Sequence, residues 1–121
     1  MRGVAAGAVV CIALSGATAF GQGGDAERGN ELYQYWCATC HGRGPGNPGT
    51  TALLAKYKKA LPGVLEDRTD LTPQAIRFNV RMGTSIMPFF RKTEISESDL
   101  DAIALYLTRR AAARTDDVRK P

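Results

Sequence analysis

Two cysteines stand three residues apart, and the only histidine of the chain follows the second directly: Cys37-Ala38-Thr39-Cys40-His41. Four chemistries compete for this pattern. A structural zinc site needs four ligands, commonly as two separated pairs. Outside the motif the sequence offers only Cys11 and no histidine, so the set cannot be completed. A thioredoxin-like dithiol sits after a strand in a βαβ unit, and no such pattern surrounds this one. A plain disulfide suits an oxidising compartment but leaves His41 without a role. Covalent haem attachment uses every position: the two sulfurs form thioethers with the haem vinyls, and the next residue turns its imidazole to the iron.

With His41 used, internal bis-histidine ligation is excluded. The second axial ligand is then a methionine sulfur, a lysine, or water at an open site. Apart from Met1, the methionines are Met82 and Met87. Met82 falls in the last turn of an expected helix, where a packing residue is the plainer reading. Met87 lies in Gly83-Thr-Ser-Ile-Met-Pro-Phe-Phe90. Proline at 88 forces the residue before it into an extended conformation and removes one backbone donor. That stiffens the loop and projects the sulfur, with Phe89 and Phe90 as walls against water. The local pattern favours Met87 over Met82.

The elements that must position these groups are helical. Asp25 to Trp36 reads as a first helix, capped by Asp25, with Leu32, Tyr33 and Trp36 on one stripe. Gly29 inside it costs about 1 kcal/mol relative to alanine, which is tolerable where another helix comes close. Residues 42–49, Gly-Arg-Gly-Pro-Gly-Asn-Pro-Gly, read as loop. A short helix follows over Thr50 to Leu61, stopped by Pro62-Gly63. Thr72-Pro73 opens a helix that ends at Gly83, with Ile76 and Val80 on one face and Phe78 and Met82 on another. The last helix starts at Ser96 with Asp99 as a capping-box variant and runs to about Arg110. Its stripe is Leu100, Ile103, Tyr106 and Leu107. No alternating strand pattern appears. The expected fold is all-α, three to five helices with long loops wrapped around one covalently attached haem.

The 121 residues carry 16 basic and 12 acidic side chains, a net charge of +4. The excess is mild, and no basic patch is interleaved with aromatics, so nucleic-acid binding has no support. The start reads as a secretory signal peptide, residues 1–21: Arg2 gives a basic start, Val4 to Ala13 is apolar or small, and small-x-small cleavage signals end at Ala19 and Gly21. The bulky Val10 before Cys11 argues against lipidation, and cleavage discards Cys11. The mature protein is then periplasmic, with residues 22–110 as its domain and 111–121 as a flexible polar tail. No run in the mature chain is long enough to span a membrane.

In order and spacing, the chain resembles the class I cytochromes c. The matching features are the Gly-Asp-x-x-x-Gly-x-x-x-Tyr helix, Cys37-Ala-Thr-Cys40-His41, Leu71-Thr72-Pro73, Met87-Pro88-Phe89 and Ile103-x-x-Tyr106-Leu107. The resemblance implies that Cys37 and Cys40 bind the haem, that His41 is the proximal ligand and Met87 the distal one. It also implies that Gly29 and Tyr33 pack the first helix across the last, at Ile103 and Tyr106. More narrowly, residues 71–90 resemble the small cytochrome subunits of 4-cresol dehydrogenase (p-cresol methylhydroxylase) and eugenol-hydroxylating flavocytochromes. The stretch Thr50 to Arg68, with Lys56, Lys58 and Lys59, is longer than in the smallest of these.

A His/Met couple fills both axial positions. It favours single-electron transfer over substrate binding at the iron. The expected protein is an electron carrier and not an enzyme on its own. It would take electrons from a redox partner such as a flavoprotein dehydrogenase and pass them to the respiratory chain. A ligand sensor or small haem enzyme with a labile distal site is the alternative. The lysines at 56, 58 and 59 either steer an acidic partner or form a solvated face.

Overall fold

The computed structural model describes residues 22–120; the expected signal peptide, residues 1–21 with Cys11, lies outside the described residues. Among these, five helices and one 3₁₀ turn follow in order: α1 Gln22–Trp36, α2 Ala38–His41, α3 Pro48–Lys56, the turn Leu65–Asp67, α4 Pro73–Met82 and α5 Glu97–Val118. The only β pairing among the described residues is an isolated bridge between Thr84 and Met87. The fold is all-α, as the periodicity predicts.

The core forms where α1 crosses α5, with α4 against the same side of α5. Tyr33, Ile95, Leu100, Ile103 and Leu107 are fully buried, and Ile76 and Val80 join them. The α5 stripe read from the sequence is the buried one, because its spacing keeps those side chains on one face. Gly29 permits the crossing. A Cβ there would lie 2.1 Å from the Ala102 carbonyl oxygen and 2.9 Å from Tyr106 Cβ. The close approach is thus to the Ala102 backbone and Tyr106, one residue from the expected Ile103. Beside it, the Tyr33 and Tyr106 rings stand 5.7 Å apart, and Arg28 is ion-paired with Asp99.

Helix limits follow local chemistry. The hydroxyl of Thr72 accepts from the Ala75 amide, and Pro73 occupies the first helical position, as expected. Ser96 caps α5 by accepting from the Asp99 amide. Gly83 stops α4 with φ of +69°, a conformation glycine adopts without steric cost. Three limits differ from the sequence reading. α1 begins at Gln22, so Asp25 sits in its first turn and is not its cap; its charge still suits the positive end of the helix dipole. α3 starts at Pro48, inside the expected loop, and ends at Lys56. Lys58 and Lys59 then take left-handed φ of +49° and +63°, which no helix continues through. Finally, α5 runs beyond Arg110 to Val118. Ala111-Ala112-Ala113 are strong helix formers, and Arg114 is tied to Asp67 of the 3₁₀ turn.

Asp67 also receives both guanidinium nitrogens of Arg43, one at 2.6 Å. Next to it, Glu66 accepts from the Tyr106 hydroxyl and lies 3.8 Å from Arg110. The 3₁₀ turn therefore joins the loop after α2 to the far end of α5.

Candidate functional site

Cys37 closes α1, and the single turn of α2 carries Cys40 and His41. The amides of Cys40 and His41 both donate to the Cys37 carbonyl, at 3.1 and 2.8 Å. This tight turn fixes the two sulfurs and the imidazole as one unit. The cysteines are unpaired; Cys37 is half-buried and Cys40 exposed. Burial, with Cys40 nearby, pushes the Cys37 thiol up to about 12.

His41 is buried. Its carbonyl accepts a 3.1 Å hydrogen bond from the Tyr33 hydroxyl, itself fully buried. Burial lowers the pKa of the imidazole, so the ring is held neutral. Gly49, in the first turn of α3, lies against the ring: a Cβ there would be 2.7 Å from Cε1 and 2.9 Å from Nδ1. Nδ1 is buried and has no hydrogen-bond partner. The Thr50 hydroxyl donates to the Gly42 carbonyl at 2.9 Å, which ties α3 to the residue after the histidine. Gly49 and Thr50 escaped the sequence reading because they fell in, or next to, what read as loop. The signal that pointed to them was Asn47-Pro48, an extended residue followed by proline at the start of a helix.

Met87 comes from the segment after α4. Thr84 and Met87 exchange backbone hydrogen bonds of 3.1 and 3.0 Å, closing a two-residue loop with Ser85 at φ +58°. Met87 is half-buried and packs on the core together with Phe90, Trp36, Cys37 and Ala38. The core packing thus gathers Met87, Cys37 and Ala38, from both ends of the expected couple, around one cluster. Phe90 stands edge-on to Trp36 with ring centroids 5.9 Å apart. Phe89 is 61 % exposed, so of the two phenylalanines only Phe90 forms a wall.

Arg77 pairs with Asp101 at 2.5 Å. Arg81 donates to the carbonyls of Phe90 and Ile95, at 3.1 and 2.9 Å, and reaches Glu97 at 3.2 Å. The Phe90 amide donates to the Val80 carbonyl at 2.8 Å. Together these bonds clamp the segment that carries Met87 onto the end of α4. Tyr57 faces Arg68, whose guanidinium lies 4.7 Å from the ring centroid and which is buried against Asp70. Met82, the rejected alternative, is 65 % exposed on the outer face of α4.

No helix among the described residues is long and apolar enough to cross a membrane. Comparison with curated proteins and with solved structures returns no match. The model of the family described as cytochrome C oxidase, cbb3-type, subunit III, matches residues 24–107. The chain belongs to that family, as a class I c-type cytochrome domain that transfers electrons and has haem c as its cofactor.

Proposed function

We propose that Cys37 and Cys40 hold one haem c by thioether bonds, that His41 and Met87 are its axial ligands, and that the domain relays single electrons in the periplasm. The observation that carries this reading is the rigid Cys37–His41 turn packed on the same cluster as the clamped Met87 segment. The donor set fits the group. A ligating imidazole must be neutral, and burial keeps His41 so. Its buried, unpaired Nδ1 carries no hydrogen bond that would oppose turning the ring to a metal. Haem c supplies reversible one-electron oxidation and reduction when bound. Tyr33 and Thr50 fix the backbone on either side of the imidazole. Met87 offers a soft, neutral sulfur, which favours the reduced state and raises the potential. Phe90 and Trp36 stand edge-on to each other on the same core cluster as Met87.

With both positions filled, the site favours electron relay over chemistry on a bound substrate. The donor we propose is a flavoprotein dehydrogenase of the 4-alkylphenol type, and the acceptor a component of the respiratory chain. The resemblance of residues 71–90 to the cytochrome subunits of such enzymes supports this. The signal-like residues 1–21 support export, leaving 22–110 as the functional domain.

Optical and near-infrared spectra test the ligand pair. The oxidised protein should show the methionine–iron charge-transfer band, and Met87→Ala should abolish it while Met82→Ala leaves it intact. An unchanged band in Met87→Ala would refute the assignment. Rapid carbon monoxide binding by the untreated ferrous protein would instead favour a sensor with a labile distal site. Copurification with a flavoprotein tests the partner.

A further inference from the structure

The residues that follow His41 are Gly42-Arg43-Gly44-Pro45-Gly46. They join the histidine turn to α3, whose Gly49 lies against the imidazole. Gly44 and Gly46 take φ of +96° and +90°, so the bends of this loop fall at residues with no side chain to anchor them. The Asn47 side chain donates to the carbonyls of Arg43 and Gly44 at 3.0 and 3.1 Å, and the Thr50 hydroxyl to that of Gly42 at 2.9 Å. These bonds tie the loop only to the start of α3. Arg43 is the one residue from 42 to 46 whose side chain can donate. It reaches across to Asp67 of the 3₁₀ turn.

Asp67 is shared between two arginines. Its carboxylate accepts both guanidinium nitrogens of Arg43 and is ion-paired with Arg114. A single exposed ion pair contributes little, but a forked arginine on a carboxylate, within a network of charges, holds a geometry. Arg114 lies in the part of α5 that continues from residue 107, where the family match ends, to Val118. The neighbouring Glu66 accepts from Tyr106 and lies near Arg110. The 3₁₀ turn is thus gripped along α5 from Tyr106 to Arg114, and it grips the loop through Arg43. We infer that Asp67 is a positioning residue for His41, and that the last turns of α5 act through it as a strap on the loop between the histidine and the glycine packed on its ring. The inference rests on the reading of His41 as an iron ligand. A slack strap would let α3 draw back from the imidazole and admit water. Solvent access stabilises the more highly charged oxidised state and lowers the reduction potential.

Native-state hydrogen exchange and voltammetry on the holoprotein test this together. The Gly42 amide, which donates to the Ala38 carbonyl at 2.7 Å, reports on the loop. The Phe90 amide, which donates to the Val80 carbonyl, reports on the Met87 segment. Arg43→Met and Asp67→Ala should each speed exchange at Gly42 about tenfold relative to Phe90. A general loss of stability would speed both amides alike, and that result would overturn the inference. Arg114→Met should also speed exchange at Gly42, and Arg114→Lys, which keeps the charge, should restore most of the protection. Arg43→Met and Asp67→Ala should both lower the reduction potential. Charge alone predicts opposite signs, because one variant loses a positive group and the other a negative one. Opposite shifts, or unchanged exchange at Gly42 in Arg114→Met, would therefore overturn the inference as well. A wild type without a low-spin haem spectrum counts against the ligand reading, while exchange at Gly42 reports on the strap separately.

Discussion

The hydroxyl of Tyr33 donates a hydrogen bond to the backbone carbonyl of His41, both buried, across 3.1 Å. The last turn of α1 thereby holds the histidine turn from behind. Removing the hydroxyl leaves a buried carbonyl without a partner, which costs about 1–3 kcal/mol. Tyr33→Phe should unfold at correspondingly lower denaturant, measured by far-UV circular dichroism, while the haem absorption stays that of a six-coordinate protein. Unchanged stability would mean that the bond contributes nothing.

Gly29 tests the crossing. An added methyl would lie far inside contact distance of the Ala102 carbonyl, and backbone cannot swing aside as a side chain does. Gly29→Ala should destabilise by about 1–3 kcal/mol, and Gly29→Val by more, despite the higher helix propensity of alanine. Urea titration decides. A gain in stability for Gly29→Ala would show the helices free to part.

Arg81 holds the Met87 segment by two carbonyls. Arg81→Met keeps much of the length and loses the donors. The segment should loosen, so that imidazole or cyanide displaces the proposed Met87 ligand at least about tenfold faster, a cost near 1.4 kcal/mol. Stopped-flow mixing with the ferric protein measures this, and an unchanged rate would remove Arg81 from the clamp.

Asp67 gives a pH dependence with a definite sign. Its hydrogen bonds to Arg43, aided by the charge of Arg114, hold the carboxyl below its ordinary value of 3.8. A carboxyl depressed in the folded state stabilises above that value, and the contribution is lost as pH falls through the lower, folded one. Asp67→Asn should therefore lose about 1 kcal/mol at neutral pH and show a flatter fall of stability below about pH 4. Parallel acid titrations of mutant and wild type would contradict this.

Much of the scaffold was legible because short-range rules governed it. Thr72-Pro73 and Ser96 with Asp99 are caps whose partners lie three residues away, and both form as read. Gly29 was readable as a close approach, since a glycine inside a helix needs a reason. The misses were long-range. The continuation of α5 past Arg110 is secured by Asp67, 47 residues from Arg114. Nothing local to Arg81 revealed that carbonyls 9 and 14 residues on would claim its guanidinium. Lys58 and Lys59 carry a turn usually given to glycine, so composition hid it.

The α1–α5 crossing also dictates an order of assembly. Arg28 and Asp99, which flank it, are 71 residues apart, so the junction closes a long loop and cannot form before α5 has been delivered. A chain emerging from its N-terminus presents the Cys37–His41 turn well before the helix that completes the core behind Tyr33. During that interval the two thiols proposed to bind haem c stand in an open polypeptide. The last helix to arrive shuts the door.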